Sequence, residues 1–169
     1  MAGALQSAGP AGPIILAVFG AVWAMVGLGF AGVSLMLWLV PIVISIGMIG
    51  LVLRRSQGLV PPPPEEGRRI GKLVGIWSGV EGVAIFVAIT ICNTLGHPEW
   101  IVSSICLVVG LHFFPLARGL PVRLYYVSGA IMSVLGVAGL ADLTPIAPSI
   151  AVALGAALVL WSTVLRILA

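Results

Sequence analysis

WSGVEGVAIFVAITICNTLGHPEWIVSSICLVVGLHFF, residues 77–114, decides how this chain is read. Two apolar runs stand back to back in it, parted by His97, Pro98 and Glu99, and each holds one ionisable side chain: Glu81 in the first, His112 in the second. A helix needs about 20 apolar residues to cross about 30 Å of hydrocarbon, so the two runs are two membrane-spanning helices joined by a short polar turn. A carboxylate or an imidazole is costly at that depth unless it is paired or lines a polar cavity. The architecture and the candidate chemistry both grow from this stretch.

Working outward, helix three runs over about 73–95 and helix four over about 100–116. On the N-terminal side lies the longest polar interval, 54–72, where Pro61, Pro62, Pro63 and Pro64 followed by Glu65 and Glu66 read as a stiff, extended, cytoplasmic spacer. Before it, Ala11 to Leu53 holds no charged residue; as one helix it would be about 65 Å long, roughly twice the hydrocarbon thickness. It must therefore turn back, and Gly27, Gly29, Gly32 and Ser34 supply the turn. That gives helix one over about 13–29 and helix two over about 33–53, kinked at Pro41. On the C-terminal side Arg118, Gly119, Pro121 and Arg123 form a turn, helix five covers about 124–140, Asp142, Thr144 and Pro145 break the chain, and helix six covers about 148–168. The expectation is an all-α membrane protein: one integral domain, residues 1–169, with six transmembrane helices as three antiparallel hairpins.

Composition agrees. Hydrophobic residues make up 60% of the chain and charged residues 8%, with a mean hydropathy of +1.23, whereas about a quarter of a soluble domain is charged. The net charge of +3 calls for no nucleic-acid partner, because basic residues beside membrane helices set orientation. Met1 to Gly12 lacks Lys and Arg, so the first run is expected to stay as a span rather than be removed as a signal peptide. In the six-helix arrangement Arg54, Arg55, Arg68, Arg69, Lys72, Arg118, Arg123 and Arg166 all fall on one side, which the positive-inside rule makes cytoplasmic, with both termini. Five or seven spans would split them. Trp100 and the Tyr125/Tyr126 pair fall at interfaces.

Cys92 and Cys106 lie inside apolar runs and read as small buried hydrophobes, with neither disulfide nor zinc spacing. No phosphate loop, dinucleotide fingerprint or His-Glu-x-x-His occurs, so no cofactor and no metal site is expected. Glu81 lies nine residues past Lys72, about 13 Å in, and His112 six before Arg118, about 9 Å in from the same face. Helices joined by so short a turn are antiparallel neighbours, so the two side chains are expected to meet. The leading expectation is a titratable site, with Ser78 and Asn93 as lesser contributors, that takes a proton, a small cation or a polar substrate in a small transporter or permease, acting in the lipid bilayer as a homodimer. The alternative, from another class, is a noncatalytic accessory or sensor protein whose polar pair only joins helices. Gly75 with Gly79, Ser78 with Gly82, and Gly129 with Ser133 suit close helix packing.

An intramembrane enzyme ranks third. Gly75, Ile76, Trp77, Ser78, Gly79 superficially resembles the Gly-x-Ser-Gly motif of the rhomboid proteases, with Ser78 and His112 as a dyad, but the spacing is one residue too long and the family's other motifs are missing. Gly110 to Ala117, together with Glu81, resembles small six-helix bacterial inner-membrane proteins, mainly over helices three to five. That resemblance implies a bacterial cytoplasmic membrane as location and implies no activity.

Overall fold

Glycines at 27, 29 and 32 end the first helix, and Gly32 takes the left-handed backbone (φ +64°) that a β-carbon would strain. Beyond it the Ser34 hydroxyl accepts from the Met36 amide at 3.4 Å and opens a 3-10 turn, Leu35–Trp38. In the computed structural model, which describes residues 9–59 and 63–169, the chain is all-helical, with no strand among those residues. Six α-helices follow in order: α1 Ala11–Phe30, α2 Leu39–Ser56, α3 Pro64–Thr94, α4 Ile101–Gly119, α5 Leu124–Leu140 and α6 Pro148–Leu168. A second 3-10 turn, Pro98–Trp100, joins α3 to α4. Five of the helices are long and apolar enough to cross a membrane; α5, at 17 residues, is apolar but shorter.

The packing centre is α6, whose Ala153, Ala156, Ala157 and Val164 are almost wholly buried. Its closest neighbour is α1, and α4 with α5 forms the other intimate pair. Small residues permit both approaches, as expected where lipid supplies no hydrophobic drive between helices. Gly20 and Gly27 of α1 meet Trp161 and Leu154 of α6, while Gly110 of α4 lies so near α5 that a β-carbon there would stand 2.9 Å from the Gly129 carbonyl oxygen. Residue numbers rise along α4 as they fall along α5: Ser103 meets Gly139, Leu107 meets Gly136, and Gly110 meets Ser133.

The remaining two helices are peripheral. α2 leans on α1 and touches α6 lightly; α3 packs on α4, and Cys92 is its one fully buried residue. Their outer faces are apolar and exposed, with Val43 and Ile46 on α2 and Val83 and Phe86 on α3 all above 60%, the pattern of helices that face lipid. Three lateral contacts gather helix ends at one end of the bundle. Arg55 at the end of α2 donates to the Leu168 carbonyl of α6 at 2.8 Å, Gly119 ending α4 meets Leu73 early in α3, and Gly12 starting α1 meets the Tyr125 hydroxyl early in α5.

Several boundaries differ from the sequence reading. Pro64 is not spacer but the first residue of α3, so nine residues assigned to the loop 54–72 belong to α3, and three more, 54–56, belong to the end of α2. Proline at the first helical position sacrifices no hydrogen bond, and Glu65 and Glu66 in the first turn suit the positive helix end. Pro63 is extended (φ −52°, ψ 145°), while Pro61 and Pro62 lie outside the described residues. Pro41 produces no mid-helix kink, because α2 begins at Leu39 and Pro41 sits in its first turn, where the missing N–H has no role. α4 runs three residues past its expected end, to Gly119, with Pro115 inside it, where the Leu111 carbonyl loses the amide donor four residues on. The Gly75/Gly79 and Ser78/Gly82 pairs do not form a packed seam: an added β-carbon on Gly75, Gly79 or Gly82 would have nothing within 4 Å.

Candidate functional site

Along α3 the residues turned to α4 are those at helical spacing that lose their exposure: Val74, Trp77, Glu81, Ala84, Ile85, Ala88 and Cys92. Glu81 therefore belongs to the seam because it shares the stripe that α3 uses to pack. His112 occupies the corresponding face of α4, opposite the Gly110 face that receives α5: two residues on, at 100° each, it is rotated about 200°. The seam is registered at both ends, by Leu73 against Gly119 and by Cys92 Sγ 3.5 Å from Ser104 Oγ. Between these clamps Glu81 and His112 come level.

His112 Nε2 stands 3.6 Å from Glu81 Oε2, and the two side chains are 9% and 21% exposed. That is ion-pair range but beyond hydrogen-bond reach. The other ring nitrogen, Nδ1, is buried without a partner among the described residues. With one proton between them the two groups carry no net charge, whether as neutral acid and imidazole or as carboxylate and imidazolium. A second proton, or the loss of the first, leaves an uncompensated charge on a largely buried pair, which is costly. The arrangement can hold a proton, join two helices, or accept a further hydrogen-bonding group at the gap.

The other residues singled out from sequence are not brought into this contact. Ser78 is exposed; of the His112 nitrogens, Nε2 faces Glu81 and Nδ1 has no hydrogen-bond partner among the described residues. Asn93 is exposed and its amide donates to the Ile89 carbonyl of its own helix at 2.9 Å. Thr90 and Thr94 bond back to Phe86 and Thr90 in the same way, each at 2.8 Å. One cavity of about 420 Å³ is lined by α1 and Trp38, and another of about 430 Å³ by the end of α3 and the start of α4 around Cys92, Trp100 and Ser104. Neither includes Glu81 or His112.

Polar contacts elsewhere escaped the sequence reading. Ser45 of α2 donates to the Ala17 carbonyl of α1 at 2.6 Å, and the Trp161 indole of α6 donates to both Ser45 Oγ (3.1 Å) and that carbonyl (3.3 Å). Ser128 of α5 and Thr163 of α6 share a 2.6 Å hydrogen bond. Among the described residues no group of three or more His, Cys, Asp or Glu could hold a metal ion. No protein-family model, no curated protein and no solved structure matches this chain.

Proposed function

We propose that this chain is a noncatalytic multi-pass protein of the bacterial cytoplasmic membrane, an accessory or sensor component, in which Glu81 and His112 fasten the peripheral α3 to the bundle. The observation that carries the reading is the 3.6 Å approach of His112 to Glu81 inside the seam with α4, the main contact of α3 among the described residues. Hydroxyl and amide groups further along α3, on Thr90, Asn93 and Thr94, close on their own helix rather than line a path. The three-hairpin arrangement is supported by the contacts that gather Arg55 with Leu168, Leu73 with Gly119 and Gly12 with Tyr125 at one end; that this end, with both termini, is cytoplasmic rests on the positive-inside rule. The bacterial membrane rests on the resemblance over helices three to five.

The experiment is a comparison of Glu81→Leu and His112→Leu with the parent chain by thermal unfolding in detergent. Each substitution breaks the pair and lowers the midpoint; unchanged midpoints for both would remove the fastening role. A second reading, the small transporter or permease, is favoured by the unpartnered Nδ1 and the 21% exposure of Glu81, which leave room for a proton, a cation or a small polar ligand at the gap. It demands that Glu81→Gln abolish flux in proteoliposomes while the protein stays folded.

A further inference from the structure

The eight basic side chains are all exposed, and among the described residues none lies within ion-pair distance of a carboxylate. We propose that the end of the bundle carrying them is a binding surface for the phosphate headgroups of anionic phospholipids. Arg54 and Arg55 close α2, Arg166 lies in the last turn of α6, and the Arg55 hydrogen bond to the Leu168 carbonyl ties these two ends together. Arg68, Arg69 and Lys72 stand on the helical extension of α3, and Arg118 and Arg123 flank the turn from α4 to α5. Only Glu65 and Glu66 oppose them at this end, and both sit in the first turn of α3, where the helix amides already favour negative charge.

Orientation in the membrane accounts for a count of cations and is indifferent to their kind. Here seven of the eight are arginine, whose planar fork donates two parallel hydrogen bonds to a phosphate where lysine offers a point charge. The neighbouring surface selects the lipid over free phosphate. Just inside Arg54, Leu51 and Leu53 are about half exposed, and just inside Lys72 so are Ile76 and Val80. A ligand with an anionic head and an apolar tail satisfies both surfaces; inorganic phosphate or an acidic peptide would satisfy one. The proposal rests on the chain spanning a bilayer and is independent of what Glu81 and His112 do.

The test uses the full chain in vesicles of brominated phosphatidylglycerol or brominated phosphatidylcholine, which differ in headgroup charge, with tryptophan quenching giving the relative binding constant. Phosphatidylglycerol is expected to bind more tightly, by about fivefold for each cation that engages a headgroup, with the preference shrinking in 0.5 M salt as screening tightens. Arg68→Gln, Arg69→Gln and Lys72→Gln together should lower the preference at least fivefold, and Arg68→Lys with Arg69→Lys should lower it part of the way, since charge remains and the fork is lost. Equal quenching by the two lipids, or a preference untouched by both variants, overturns the proposal. Loss of the preference on adding about 10 mM inorganic phosphate at constant ionic strength assigns the surface to free phosphate and overturns the choice of lipid. Failure to enter either bilayer overturns the membrane-spanning reading and this proposal with it.

Discussion

At the scale of single residues, what a polar side chain does depends on whether it can reach beyond its own helix. Ser45 reaches the Ala17 carbonyl and receives the Trp161 indole, tying α1, α2 and α6 at one point, whereas Thr90 and Thr94 turn back on their own backbone. Nothing in the sequence separates these cases, because a hydroxyl in an apolar run satisfies either partner. Glu81 and His112 were legible for the opposite reason: an ionisable group has no local partner of sufficient strength, so its presence at membrane depth demands a neighbour. Asn93, with a neutral amide, escaped that demand by bonding Ile89. Ser45→Ala should lower stability by about 0.5–1.5 kcal/mol, the range of interhelical hydrogen bonds in membranes, read as a shift in detergent unfolding; no shift would remove the three-helix tie.

Between helices, glycine has two opposite roles here, and substitution distinguishes them. Gly110→Ala would drive a methyl group against the Gly129 carbonyl and the Ser133 backbone, which cannot rotate away, so α4 and α5 must part at a cost of about 1–3 kcal/mol. Gly79→Ala meets open space, and should be neutral or stabilise by up to about 1 kcal/mol through helix propensity. A loss of stability at Gly79 that depends on protein concentration would instead point to a second copy seated on that face. The α3–α4 register is testable through Cys92, whose sulfur lies 3.5 Å from Ser104 Oγ: Ser104→Cys should cross-link to it on mild oxidation, seen as loss of two free thiols with that of Cys106 remaining, and persistence of all three would contradict the seam. Residues 64–72 misled the sequence reading because a proline run signals extended chain, yet its last member is a good first helical residue when two glutamates follow.

Across the whole molecule, the count of six helices was plain in the sequence, since 60% apolar composition and the spacing of polar turns leave little else. The order of packing was not, because the most intimate pairs, α1 with α6 and α4 with α5, are not the pairs one–two, three–four and five–six that the sequence reading joined as hairpins. Gln57→Cys, in the turn after α2, should be labelled by an impermeant reagent only from the cytoplasmic side, and Asp142→Cys only from the other; labelling of both from one side would break the topology. α3 hangs on the molecule by its seam with α4, and the account stands or falls on the polar contact within it. The decisive measurement is a double-mutant cycle on unfolding stability in detergent with Glu81→Gln, His112→Gln and the pair combined. A coupling of about 0.5–1.5 kcal/mol is predicted; strictly additive effects would show that the carboxylate and the imidazole do not interact, and would contradict it.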